Sequence, residues 1–192
     1  MDTDRIPNNP ASKVRLHRVI APKHVYLSHP QVENLANAAE ELTGRPTDST
    51  LIRFLAYTGL RINEALALKV SCLDLMRARA AVNATWTLDR AGKKALGTPK
   101  THEKRAVPLP RFLVAELQDL VAGQQQDAYV FQTPTGEALN DHNWRNRVFN
   151  LATRDAGLDG KGVTRQQAQR LGPAQTSRSF SRCWDTRTPR RR

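Results

Sequence analysis

The sequence has little sulfur, few aromatics and no long apolar run. Its two cysteines, Cys72 and Cys183, show no metal-ligand spacing and supply no disulfide framework. No apolar stretch approaches the roughly 18–20 residues that cross a bilayer. The opening MDTDRIPNNP is polar and lacks the apolar region of a signal peptide. These absences argue against a disulfide-stapled secreted module and a helical membrane protein, and a cytoplasmic protein is the expectation. At 192 residues the chain can bury one real core, or two small ones at most.

Acidic residues are scarce in one place only. Positions 161–192 hold nine Lys/Arg against one Asp, a net +8. Positions 1–160 hold 21 Lys/Arg against 17 Asp/Glu, a net +4. The overall +12 invites a nucleic-acid reading, but most of it belongs to the tail. That tail has seven apolar residues in 32 and no sustained period. Such a segment cannot offset its own ordering entropy and is expected to be disordered.

The body is organised around positions 55–68, LAYTGLRINEALAL. Leu55, Ala56 and Tyr57 close an apolar helix, and Gly59 is placed to end it. From Ile62 the helical pattern resumes, with Ile62, Ala65, Leu66 and Leu68 on one face and Asn63, Glu64 and Lys69 off it. Arg61 therefore lies at a helix–turn–helix junction between buried segments. A guanidinium so fixed, beside the backbone N–H groups of a helix start, suits a phosphate. Taken alone, the same pattern also fits a surface arginine at a turn.

Earlier in the chain, positions 1–24 read as a polar linker or arm. Ser28 caps a helix, with Pro30 in its first turn, Gln31 reaching back and a stripe of Val32, Leu35, Ala36, Ala39 and Leu42. Gly44, Pro46 and Asp48 break it, and a second helix starts near Ser49. Later, 80–88 reads as a strand, 89–94 as a polar turn, and 95–100 and 105–109 as short strands, together a three-stranded antiparallel sheet. Pro110 opens a helix that turns Phe112, Leu113, Leu117, Leu120 and Val121 inward, and Gly123 ends it. A buried 129–131 piece, a turn at 134–136 and a last helix carrying Trp144, Val148, Phe149, Leu151 and Ala152 follow.

The run TGLRINEALALKVSCLDL resembles the first catalytic-arginine segment of the tyrosine recombinases, or phage integrases. Thr58, Gly59, Arg61 and Glu64 match T-G-x-R-x-x-E, and Leu73, Asp74 and Leu75 match its end. The run GTPKTHEKRAVPLP resembles that family's lysine hairpin, through Thr98, Pro99, Lys100, Thr101, Arg105, Val107, Pro108 and Leu109. A lone lysine at a hairpin tip would read as a solvated charge; its surroundings carry the resemblance. His142-Asn143-Trp144-Arg145 has the spacing of the family's H-x-x-R motif but falls too early and reads as a core helix with polar residues outward.

The resemblance implies a mainly α fold with a small three-stranded antiparallel sheet, an incomplete catalytic domain over 25–160 and a basic tail over 161–192. It implies site-specific DNA recombination with double-stranded DNA as partner, and no metal or other cofactor. Arg61 would bind the scissile phosphate, Glu64 would support it, Lys100 would protonate the leaving oxygen, and Thr98, Thr101 and Arg105 would contact DNA. A homo-oligomer or an intact recombinase would be the protein partner, and no membrane. The second arginine, the histidine of L-G-H and the nucleophilic tyrosine of the family are missing, since the tyrosines are Tyr26, Tyr57 and Tyr129, all read as core. An inactive fragment is therefore expected. The alternatives are a non-catalytic DNA-binding protein at recombination sites, or a non-functional relic with exposed apolar surface on 50–68 and 141–157.

The genetic code suggests an origin for the tail. Read one base out of phase, Cys183–Trp184 must encode leucine, Trp184–Asp185 glycine, and Asp185–Thr186 histidine or tyrosine. Upstream, 172–181 permits A-G-A-D-V-K-V-V-Q and 162–165 permits R-H-T. The tail is thus expected to be the family's C-terminal segment translated out of frame, with the change near 160–162.

Overall fold

Ser28 starts the first helix, α1 (His29–Thr43), by donating its N–H and Oγ to Gln31 Oε1 at 2.9 and 3.1 Å. This computed structural model describes residues 26–89, 93–97 and 105–158. The apolar stripe of α1 buries Val32, Leu35, Ala36 and Ala39, while Leu42 in the last turn is exposed.

Helix α2 (Pro46–Thr58) begins earlier than its sequence suggests. Proline is tolerated at the first helical position, where no donor is needed. Asp48 therefore stands inside the first turn and is fully buried rather than breaking the chain. Its carboxylate accepts from Arg45 Nε at 2.9 Å and Trp144 Nε1 at 2.8 Å. Charge-assisted hydrogen bonds of this kind make a buried carboxylate tolerable. At the other end Gly59 takes φ 67° and donates its N–H to Leu55 O at 3.2 Å, ending α2 as expected.

A one-turn helix, α3 (Ile62–Ala65), and a 3-10 turn (Val70–Cys72) lead into the strands. The expected strand over 80–88 is two strands in two sheets. β2 (Arg79–Val82) pairs antiparallel with β1 (Leu73–Asp74) and with β5 (Arg105–Pro108). β3 (Thr85–Leu88) pairs with β4 (Lys94–Gly97) as a separate hairpin. Contacts remote in sequence hold this hairpin aside. Trp86 Nε1 donates to Leu66 O at 3.1 Å, and Lys94 Nζ donates to Leu139 O at 3.4 Å. Alternation of side chains cannot report such a bend.

Helix α4 (Arg111–Val121) takes Pro110 as its N-cap and buries Leu113 and Leu117. Phe112, expected inside, is exposed but stands edge-on to Tyr57 at 4.9 Å. The last helix runs as α5 (Asp141–Trp144), a π-helical turn (Arg145–Phe149) and α6 (Asn150–Asp155). It buries Trp144, Val148, Phe149 and Ala152 and leaves Leu151 exposed.

One cluster of buried side chains runs from Leu27 to Leu158, with Phe54 and Phe131 packed edge to face at 5.2 Å in it. The expected class, mainly α with a small antiparallel sheet, is the one observed. The apolar residues of 50–68 are buried apart from a half-buried Tyr57, and in 141–157 Leu151 is the one large apolar residue exposed. The expected exposure of these two segments is therefore not found among the described residues. Nor is any described helix long and apolar enough to cross a membrane.

Candidate functional site

Arg61 follows Leu60 and precedes Ile62, both buried, so its backbone is pinned to the core from each side. It has extended backbone angles (φ −68°, ψ 145°) and caps α3. Its side chain is 64% exposed. The protein thus fixes the root of this arginine and leaves its guanidinium open to a ligand.

Glu64 controls the direction of that guanidinium. At the third position of α3 it reaches back over the turn, as capping glutamates do. Its Oε2 accepts the Arg61 backbone N–H at 3.0 Å and its Oε1 accepts from Arg61 Nη1 at 3.2 Å. The sequence pattern puts Glu64 off the core face, yet it is only 2% exposed. Arg105, the first residue of β5, accounts for the difference. Its Nη2 donates to Glu64 Oε2 at 2.7 Å and its Nη1 to Oε1 at 3.3 Å. Burial alone would raise the Glu64 carboxyl, but the hydrogen bonds from Arg105 and the Arg61 backbone, with the two charges, outweigh it. The carboxyl is held below its ordinary value and stays ionised.

The trio carries two cations on one buried anion, a net +1 aimed at solvent. That is an arrangement for an anion with several oxygens. The expected help from backbone N–H groups at the second helix is smaller than the sequence suggests. α3 is four residues long and Glu64 occupies the N-cap N–H. An anion held at this turn would rest on guanidinium groups rather than on helix N–H groups.

The expected site residues divide as follows. Arg61, Glu64 and Arg105 are brought together. Thr98, Lys100 and Thr101 lie outside the described residues, as do 1–25 and 159–192. Arg105, expected on DNA, has both terminal nitrogens engaged by Glu64. His142 and Arg145 lie exposed on the last helix, with Trp144 between them turned into the core.

The tyrosines, all read as core, divide too. Tyr26 is exposed, while Tyr57 and Tyr129 are half-buried. Tyr57 Oη lies 2.8 Å from His29 Nδ1 and 3.5 Å from Glu33 Oε1. Burial first, then the Glu33 charge, push its hydroxyl up to about 12. No group of three or more metal-ligating side chains occurs among the described residues.

The Arg105–Glu64 pairing is the part of the site that sequence reasoning missed. The three-residue step from Arg61 to Glu64 signals the local bond. Nothing in the local pattern signals a partner 41 positions away.

Comparison with known proteins places these elements. The model of the phage integrase family matches residues 25–172. No curated protein matches the chain. Among solved structures, XerA recombinase is 23% identical, with a TM-score of 0.57 over 86% of this chain and 52% of that one. The Tn1549 transposon integrase in complex with transposon right end DNA is 18% identical, with a TM-score of 0.65 over 86% of this chain and 57% of that one. XerH recombinase bound to its difH substrate is 19% identical, with a TM-score of 0.51 over 84% of this chain and 46% of that one. At such identities the likeness is one of fold. This chain spans about half the length of the structures it matches.

Proposed function

This chain belongs to the phage integrase family, the tyrosine recombinases, and we propose that Arg61 is its contact to the scissile phosphate of duplex DNA. The observation that carries this reading is an open guanidinium whose root is buried and whose direction is set by the buried Glu64. Double-stranded DNA is the proposed partner; the Tn1549 integrase is solved in complex with transposon right end DNA, and XerH bound to its difH substrate.

In the family's reaction a tyrosine hydroxyl attacks the phosphorus, a 3′-phosphotyrosyl bond forms and the 5′-oxygen leaves with a proton. Arg61 would stabilise the added negative charge on the phosphorus oxygens, where a fixed cation in a partly dry site acts most strongly. Lys100 would supply the proton to the leaving oxygen, and Thr98 and Thr101 would contact the duplex beside it. The 192-residue chain would bind DNA without cleaving it. None of its tyrosines follows Tyr129. Tyr57 in particular stays protonated and hydrogen-bonded to a histidine.

A duplex carrying a nick beside the cleavage position traps covalent adducts of active recombinases. With this chain the expected result is salt-sensitive binding and no covalent adduct. A trapped adduct would overturn the inactive reading. Sequencing the coding DNA tests the origin of the tail. A second frame continuing R-H-T and L-G-H to a tyrosine would support a shifted reading from about 161 onward. Absence of that frame would make the tail a sequence in its own right, and non-catalytic DNA binding would become the leading reading.

A further inference from the structure

We propose that Arg105 is a positioning residue for Arg61, acting through Glu64, rather than a DNA contact in its own right. The inference rests on Arg61 being the phosphate contact and adds how that contact is aimed.

Three observations converge on it. Arg105 pairs with Val82 in the β2–β5 ladder, so its backbone is fixed by the sheet. Its two terminal nitrogens grip both oxygens of Glu64, a fork geometry that fixes the plane of the carboxylate as well as its place. Glu64 in turn holds Arg61 at two points, backbone N–H and Nη1, through those same oxygens. Direction passes from the sheet to Arg105, to Glu64 and to Arg61.

Exposure separates the two arginines. The Arg61 side chain is 64% exposed and that of Arg105 is 38%. The tighter contact belongs to the more enclosed residue, 2.7 Å from Arg105 against 3.2 Å from Arg61. An arginine turned inward onto a buried carboxylate has less of its guanidinium to offer a phosphate. One that shares the carboxylate loosely from outside can swing onto a ligand and keep its orientation. Arg105 also keeps Glu64 charged, because without the fork a carboxyl this buried would be drawn towards its neutral form.

The test is an epistasis experiment on the full chain with a duplex DNA fragment, reading the slope of log K against log salt. Each phosphate neutralised contributes about 0.9 to that slope. Arg61→Ala is expected to lower it by about one contact. Arg105→Gln is expected to lose up to the same amount, and the double variant no more than Arg61→Ala alone. A double variant that loses a second full contact would overturn the proposal, since Arg105 would then bind phosphate independently. An unchanged slope in Arg61→Ala would instead sink the assignment of Arg61.

Arg105→Lys covers the case in which Arg105→Gln does not fold. Lysine still binds phosphate as a point charge but cannot form the fork. A wild-type slope in Arg105→Lys would overturn the positioning role, and an Arg61→Ala-like slope would support it. A carbon-detected NMR titration of Glu64 gives a readout free of DNA. Its carboxyl should titrate higher in Arg105→Lys, and an unchanged titration would refute the tether.

Discussion

Trp144 donates its indole N–H to Asp48 Oδ1 at 2.8 Å, joining residues 96 positions apart in the chain. The bond ties the last helix to the first turn of α2. Both groups are buried, at 3% and 0% exposure, so neither exchanges its partner for water.

Trp144→Phe keeps much of the ring packing and removes the donor. Asp48 would retain its Arg45 contacts and lose one hydrogen bond at a buried carboxylate. The expected cost is about 1–3 kcal/mol. Urea unfolding checks it, and a midpoint equal to that of the wild type would show the bond to be dispensable.

The core should unfold as a unit. Leu113 is fully buried, and Leu113→Ala is expected to cost about 2–5 kcal/mol, partly from the cavity it leaves. Domain stabilities run to about 5–15 kcal/mol, so the change should be large on that scale. Calorimetry of the wild-type chain should give one cooperative transition that this variant lowers. A broad, non-cooperative melt would instead favour the relic reading.

Glu64 makes stability depend on acid. Its folded-state carboxyl is held below its ordinary value, so the stabilisation is fully present above about 4.3, the usual glutamate value. It is lost as pH falls through the lower, folded value. Glu64→Gln should remove this contribution and be less stable at pH 7 by about 1–3 kcal/mol. Chemical melts at pH 7 and at decreasing acid pH would read the difference between the two proteins. A constant difference across that range would show that Glu64 does not titrate with folding.

Tyr57 is the alkaline counterpart. Its folded hydroxyl is pushed up to about 12, so its contribution is present below the usual tyrosine value of about 10. That contribution disappears as pH rises towards 12. Ultraviolet titration near 295 nm should show one tyrosine ionising late, and Tyr57→Phe should delete that step. A late step that survives in Tyr57→Phe would assign it to another tyrosine.

The tail dominates charge. Residues 161–192 carry net +8 against +4 for the rest, so their deletion should flatten the salt dependence of non-specific DNA binding by several contacts. The smaller effect of Arg61→Ala should persist in the shortened chain. Titration of duplex DNA at several salt concentrations separates the two. A slope unchanged by deletion would mean that the tail does not touch DNA.

What the sequence determined by itself was local. Ser28 and Gln31 mark the start of α1, and Gly59 marks the end of α2, because caps and left-handed turns depend on neighbours within a few residues. Apolar spacing placed Leu35, Leu55, Leu66 and Leu117 in the core. The turn at Arg61 was legible for the same reason, as a break between two buried segments, while its reading as a phosphate contact came from the family resemblance.

Tertiary structure decided the rest. Asp48 reads as a helix breaker until Trp144 and Arg45 supply donors that let it be buried. The 80–88 run reads as one strand until Trp86 and Lys94 dock its second half on Leu66 and Leu139. Glu64 reads as a solvent-facing residue until Arg105 closes on it. Whether a charge is buried depends on finding a partner of opposite sign, and that partner can lie anywhere in the chain. Spacing along a helix carries no information about it, so the Glu64–Arg105 pairing that ties Arg61 to β5 appears only once β5 and α3 are packed together.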